Sequence, residues 1–401
     1  MRTERCQATP HCGRPWAERR RCESGTAGLG GAGRGEGAGS AGRRRSRPEA
    51  PCPPRMELLR RAARRPGARG RRWALGLGLA ALGLAGLLGS GAHEELLSRC
   101  LLPLLLPPPE HAPAAPPPPP GAFELEPAPC AAAEAEAPLL LVLVASAPGH
   151  AARRAAVRET WGGAQAGART VFVLGLPRRG ALQAALRAEA ARHGDLLQGR
   201  FRDSYANLTL KTLALLGWAR SRCAAARFLA KADDDVFLNL PGLLAALPAP
   251  APRAYLGRVH WRARPDRDPR SRQHVPAALY APAAFPPYCS GTAYVLSAPA
   301  AGAVLAVARR LPGPPLPLED VFVGLCARRA GIAPRHLPGL AGAARCPPDP
   351  CCFRRALLSV HGVAPARDMR RVWAGPAPAC APLPAWLGRL RCRALAWLAG
   401  L

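Results

Sequence analysis

Lysine is nearly missing from this chain: of 56 basic residues in 401, only Lys211 and Lys231 are lysines. The formal net charge of +30 is therefore almost entirely arginine, set among abundant alanine, proline and glycine, and it reads as compositional bias. The charge is also spread. Residues 1–72 carry +13, residues 73–137 carry −6 and residues 138–401 carry +23, without the concentrated stripe that would track a nucleic-acid backbone. A diffuse positive field still favours anionic ligands such as nucleotide diphosphates or sialylated lipids, with strong salt dependence. Asparagine is equally scarce, and of Asn207 and Asn239 only Asn207-Leu208-Thr209 completes an N-glycosylation sequon. Paired C-x-x-C units are absent, which excludes the usual structural zinc spacing and leaves Cys351-Cys352 as a vicinal pair whose partners lie elsewhere.

What is present begins with a basic segment, residues 1–72, that lacks any apolar period and reads as disordered and cytoplasmic. Met56 opens a different kind of text, which makes it a candidate start and residues 1–55 a candidate extension of the gene model. Arg60, Arg61, Arg64, Arg65, Arg69, Arg71 and Arg72 precede an uncharged run at 73–92, long enough to cross a bilayer, and Glu94 and Glu95 follow it. The positive-inside rule then places the N-terminus in the cytosol and the bulk of the chain in the lumen, as a type II signal anchor. A cleaved signal peptide fits less well, because the run exceeds a usual apolar core and no small-residue cleavage site closes it. Residues 93–138 are proline-rich, with unbroken runs at Pro107 to Pro109 and Pro116 to Pro120, and predict an extended stem. Cys130, Cys223, Cys289, Cys326, Cys346, Cys351, Cys352, Cys380 and Cys392 lie beyond it, with Cys100 at the membrane border, a usage that suits an oxidising compartment. Anchor, sequon and cysteines together argue against a nucleic-acid partner.

From 139 the text is globular. Leu139 to Val144 is a continuous apolar run of the kind found in a buried parallel strand. Helix over Arg153 to Trp161, strand over Thr170 to Leu174, helix over Ala181 to His193, helix over Asn207 to Cys223 and strand over Phe228 to Ala230 follow in alternation. That order predicts an α/β sandwich with a mainly parallel central sheet, whose ligands bind at the carboxyl ends of the strands.

Asp233-Asp234-Asp235 falls at such an end, between apolar runs. Three like charges half-buried together cost several kcal/mol unless a cation offsets them, so the triplet reads as a metal site in preference to a solvated acidic turn. Arg154 and Arg158 stand four residues apart on one helix face, where a merely solvated pair is the plain alternative. Tyr288 to Ser297 couples a small-residue turn to an aromatic strand, with Gly291 and Tyr294 at its centre. Glu319 and Asp320 open an apolar helix, a place where carboxylates also serve simple charge compensation. Leu358-Ser359-Val360-His361 is a strand-like run ending in histidine. Trp161 reads as core.

The set R-x-x-x-R-x-T-W, D-D-D-V-F, Y-x-S-G-x-x-Y-V-L-S, E-D-V-x-x-G and V-H, in this order across roughly 139–401, resembles the beta-1,3-glycosyltransferase family of the Golgi. Tyr255 to Trp261, Leu316 to Gly324 and the tail from Leu390 to Leu398 are most similar to the branch that extends a terminal N-acetylgalactosamine on ganglioside-type glycolipids. The resemblance implies a GT-A fold and an inverting, metal-dependent transfer from UDP-galactose in the Golgi membrane. It implies Asp320 as the base, Mn2+ held by Asp235, Asp233 and His361, and a donor pocket drawn from Arg154, Arg158, Lys231 and Asp234. Glu319, Gly291 and Tyr294 would face the acceptor or sugar, and Ala293 stands where the family usually carries glycine. The same motifs would serve a beta-1,3-N-acetylglucosaminyltransferase or a galactosyltransferase for N-acetylglucosamine-ended glycans, and a non-catalytic lectin or chaperone-like relative would be expected to lose a metal or base carboxylate. The run from Leu383 to Leu398 reads either as packing on the core or as an amphipathic membrane-facing helix.

Overall fold

The computed structural model describes residues 68–108, 122–130, 139–248, 253–342, 349–363, 366–374, 380 and 383–398. The segment 1–55, Met56, the arginines up to Arg65 and the proline run from Pro116 to Pro120 lie outside them. The uncharged run forms helix α1 (Ala68–Ser90), and residues 72–89 within it are long and apolar enough to span a membrane. It ends where Gly91 takes φ 77°, a left-handed conformation that glycine adopts without steric cost. Helix α2 (Ala92–Cys100) and a 3-10 turn (Leu102–Leu105) follow at once.

Strand β1 is Phe123–Leu125, and the apolar run becomes β2 (Leu140–Ala145), followed by α3 (Ala151–Glu159). Then come β3 (Ala168–Leu176), α4 (Gly180–His193), β4 (Leu196–Arg202), α5 (Leu208–Arg222), β5 (Phe228–Asp233), β6 (Val236–Leu238) and α6 (Leu240–Ala246). The second half supplies β7 (Tyr255–His260), β8 (Tyr288–Ser297), α7 (Ala298–Ala308), α8 (Glu319–Arg329), β9 (Pro334–His336), β10 (Ser359–His361), α9 (Ala366–Ala374) and α10 (Ala385–Leu398). The main sheet has the order β1-β4-β3-β2-β5-β8-β7-β9. Strands β2 to β5 are parallel, as their alternation with helices requires, whereas β8 runs antiparallel to both neighbours and β1 closes one edge antiparallel. The sheet is mainly parallel, as expected, with helices on both faces.

Strand β2 shows why its sequence does not alternate. Leu141 and Leu143 face a core shared with Leu215 of α5, Val304 of α7 and Val321 of α8. Leu140, Val142 and Val144 face the opposite core, with Val157 of α3, Leu186 of α4 and the fully buried Trp161. A strand covered on both sides needs apolar residues at every position.

The proline-rich stem is not a spacer throughout. Phe123 and Leu125 pair with β4, and Cys130 is joined by a disulfide to Cys223 just beyond α5. The folded domain therefore recruits chain from before residue 139, through backbone pairing and a covalent link that a proline count does not disclose. The vicinal cysteines do find separate partners, Cys351 with Cys380 and Cys352 with Cys392.

Candidate active site

Strand β5 ends at Asp233, and the Asp234 N–H still donates to Ala145 O at the end of β2, at 3.2 Å. The triplet thus sits at the carboxyl ends of two adjacent parallel strands, where the chain turns back into β6. Antiparallel pairing of β6 with β10 sets His361 opposite Val236, and its Nε2 comes within 3.7 Å of Asp235 Oδ1. Val363 N–H donates to the Asp235 carbonyl at 3.0 Å and fixes that juncture.

The three carboxylates do three different things. Asp233 Oδ1 lies 2.6 Å from Lys231 Nζ. Asp234 is buried and receives Ser146 Oγ at 2.8 Å, His150 Nδ1 at 2.7 Å and Arg153 at 2.9 Å, so the oxygens expected to meet a donor are already taken. Among the described residues Asp235 keeps only long side-chain contacts, to Arg153 at 3.5 Å and to His361, and remains open to the cleft. Burial raises the Asp233 carboxyl above its usual range, the Lys231 ammonium opposes that, and Asp235 and Asp234 add to the rise. A cation at this strand end would relieve that crowding.

The triplet lines a cleft of about 320 Å³ together with His361, Ser146, His150, Asp203, Tyr205, Lys211 and Arg272. Arg154 and Arg158 are not among its walls. Arg154 is fully buried, with its guanidinium on both oxygens of Glu189 at 2.8 and 2.7 Å and on the Ala147 carbonyl at 2.6 Å. Arg158 bonds Glu189 at 2.7 Å and Asp195 at 2.7 and 2.9 Å, and lies over the Phe172 ring. Burial alone would raise Glu189, but the bonds from Arg154 and Arg158 outweigh it and hold the carboxyl low. The expected donor arginines are therefore a structural lattice beneath the cleft. The residue one position earlier, Arg153, is rotated by about 100° on the helix and reaches the triplet instead.

The base candidate is positioned from β8. Gly291 N–H donates to Asp320 Oδ2 at 2.9 Å, Val321 N–H donates to Asp320 Oδ1 at 2.9 Å, and the Gly291 carbonyl accepts Lys231 Nζ. A Cβ at Gly291 would stand 3.0 Å from Asp320 Oδ2 and 3.2 Å from its Cβ and Cγ, so only glycine lets the carboxylate approach this closely. Behind it, buried Tyr294 donates to Glu319 at 2.5 Å, and Glu319 lies 3.6 Å from Lys231. Burial would lower the Lys231 ammonium, yet Asp233 and Glu319 raise it, while burial raises Glu319 against the pull of Lys231. Lys231, Tyr294 and Glu319 are thus an internal frame rather than the donor and sugar contacts expected of them. Ala293 pairs with Ala232 and turns its methyl into the core on the side away from Lys231 and Tyr294, while beside it β8 shifts register against β7, which pairs Gly257 with Tyr294 but Val259 with Cys289.

Asn207 is half-buried in the turn before α5, its side chain donating to Arg202 O at 2.8 Å. Sequence reasoning missed His150, Arg153, Asp203, Tyr205, Lys211 and Arg272. Lys211 had a signal, because both of the chain's lysines are buried at this site: Lys211 pairs with Asp203 at 2.9 Å and donates to Ser146 O at 2.6 Å. Arg272 lies over the Tyr205 ring, 4.1 Å from its centre, and has no carboxylate partner among the described ion pairs. Beside Asp320, half-buried His260 stacks on Tyr288 at 5.1 Å, and burial lowers its pKa despite the pull of Asp320.

Among the described residues no three acidic, histidine or cysteine side chains already converge as a ligand group. Asp235 and His361 nevertheless suit a divalent cation that draws its remaining ligands from a bound diphosphate and water, the usual arrangement for ions shared with phosphates.

A galactosyltransferase family model matches residues 152–338. Beta-1,3-galactosyltransferase 4 of Mus musculus is 43% identical over 350 residues, covering 77% of this chain and 92% of its own length. The Homo sapiens protein of that name is 40% identical over 357 residues, covering 77% and 93%. A human acetylgalactosaminyl-O-glycosyl-glycoprotein beta-1,3-N-acetylglucosaminyltransferase is 40% identical over 266 residues, covering 62% and 68%.

Proposed function

Since this chain belongs to the galactosyltransferase family, we propose that it is a Golgi type II membrane enzyme of the GT-A fold. It moves galactose from UDP-galactose, with inversion, onto the 3-hydroxyl of a terminal N-acetylgalactosamine in ganglioside-type glycolipids. The observation that carries this reading is the short path from triplet to base: Asp233 to Lys231 at 2.6 Å, Lys231 to the Gly291 carbonyl, and Gly291 N–H to Asp320 at 2.9 Å. Length of the match to the two relatives named beta-1,3-galactosyltransferase 4 supports the donor and the linkage.

In this reading Asp320 takes the proton of the acceptor hydroxyl as its oxygen bonds to the anomeric carbon. The bond from that carbon to the phosphate oxygen breaks on the opposite face, and UDP departs with the electron pair. Asp235 and His361 are the residues that would hold Mn2+, whose charge would offset that developing on the diphosphate. Arg272, with no carboxylate partner among the described residues, offers its guanidinium to the same phosphates. Glu319 and Tyr294 keep Lys231, and through it Gly291, in register with Asp320.

A screen of UDP-galactose against UDP-N-acetylglucosamine, each with manganese and with glycolipid or glycoprotein acceptors, tests the reading. Turnover with UDP-galactose and the glycolipid is expected. Activity confined to UDP-N-acetylglucosamine overturns the donor, as the similar human N-acetylglucosaminyltransferase makes worth checking. Full activity in excess chelator removes the metal assignment.

A further inference from the structure

The segment that leaves the membrane-spanning helix does not hang free. Gly89, near the end of α1, packs so closely on α10 that a Cβ there would meet Leu390 Cδ1 at 2.6 Å, and Arg393 of α10 donates to the Gly89 carbonyl. One turn on, Glu94 of α2 pairs with Arg258 of β7. Ser98, fully buried, accepts the His336 N–H of β9 at 2.8 Å, and Leu102 enters the main core. Charged and polar groups on the inner side of α2 thus clamp it to the edge of the catalytic sheet.

Its outer side is the reverse of a water-facing helix. Leu97, Leu101, Leu104 and Leu105 follow helical spacing and are exposed, Leu104 by 80% and Leu105 by 61%. Helix α10 repeats the pattern beside the span: Trp386, 48% exposed, is one helical turn before Leu390, on the same face as the contact with Gly89, and Leu383 and Leu398 are also exposed. Single exposed leucines are ordinary, but two adjoining apolar faces continuous with a membrane span are a specific surface.

We propose that this surface, formed by α2, the 3-10 turn and α10, is immersed in the bilayer interface and seats the catalytic domain directly on the membrane. The occupant is lipid, because the faces continue from α1, which the membrane must already cover, and tryptophan beside leucine suits the interfacial zone. The inference rests on the membrane-anchored reading above and does not need the donor or acceptor to be right.

The full-length chain in lipid nanodiscs containing a phospholipid with a photoreactive group in its acyl chain gives the test. Cross-links are expected on α1 and also on 97–105 and 383–398. Cross-links confined to α1 overturn the proposal, as does masking of these faces by a second copy, which would appear as protein dimers without lipid adducts. A second arm uses the triple variant Leu104→Glu, Leu105→Glu, Trp386→Glu. Turnover of a glycolipid held in vesicles should fall about tenfold while turnover of its soluble oligosaccharide is unchanged, and an equal fall on both acceptors counts against the proposal.

Discussion

Two groups of buried charge lie on the same half of the molecule and are built on opposite terms. Beneath α3, Arg154 and Arg158 face Glu189 and Asp195, two cations for two anions, every one of them bonded. Around β5 and β8, a single ammonium, Lys231, serves Asp233, Glu319 and Asp320, while nearby Asp235, 3.5 Å from Arg153, is open to the cleft. The first group is electrically complete and has nothing left to offer a ligand. The second is short of positive charge at a cleft, which is the condition under which a cation and an anionic nucleotide bind together. An arginine pair in a motif therefore says little until its carboxylates are located.

The sharpest way to break that contrast is to alter one member of each group and measure turnover and melting separately. Asp320→Asn keeps the shape and an acceptor for the Gly291 N–H, gives up the one for the Val321 N–H, and cannot take a proton. Its kcat should fall by about 10²–10⁴, the usual worth of a general base, with little change in Tm. Glu189→Gln should do the converse. Removing one charge from a buried pair leaves Arg154 uncompensated, at a cost of roughly 3 kcal/mol or more, which lowers Tm by roughly 6 °C, while KM for the donor stays near that of the parent. If Glu189→Gln instead weakened donor binding without melting the fold, the lattice would have to be counted as part of the site.

Arg272→Ala probes the same division from the cleft. A lost charge-assisted bond is worth about 1.5 kcal/mol or more, so KM for the nucleotide sugar should rise about tenfold with Tm unchanged. Arg272→Lys should recover part of it. An unchanged KM would return the phosphates to His150 and Lys211.

How much of this was legible beforehand follows from the range of each cause. The parallel strands were readable because a doubly covered strand such as β2 must be apolar throughout, and alternation with helices follows from that. Asp235 stood out as one of three like charges at a strand end, whereas His361 and Asp320 took their roles only from a family pattern, since the β6–β10 pairing that joins His361 to the triplet is a long-range contact. Arg153 against Arg154 could not be told apart, because one residue of helix decides which guanidinium faces the cleft and which is buried on Glu189. Tyr294 was expected at the sugar from the family resemblance alone, yet strand parity turns it inward onto Glu319. The recruitment of Phe123 to Cys130 left no apolar period to read, only a cysteine whose partner is 93 residues away.

A buried ionisable side chain outside both groups, His336, tests a remaining solution to the same problem, in which the group is neither paired nor exposed but neutral. Burial, with Arg258, Arg393 and Arg389 nearby, lowers its pKa to about 3 from an ordinary value of about 6.5. Glu94 lies 3.4 Å from the ring and would favour the imidazolium, but it is already bound to Arg258, so desolvation and the guanidinium groups prevail. A pKa depressed in the folded state means that the unfolded chain takes up a proton first as pH falls through about 6.5. Stability from this group is therefore complete above about pH 7 and declines toward pH 3, with a slope approaching about 1.4 kcal/mol per pH unit. Between pH 7 and pH 5.5 the loss should be about 1 kcal/mol, read as the difference in the pH dependence of unfolding between the parent protein and His336→Leu. Parallel pH profiles for the two would mean that His336 shares a proton with Glu94, and that the junction of α2 with the sheet is an ion pair like those beneath α3.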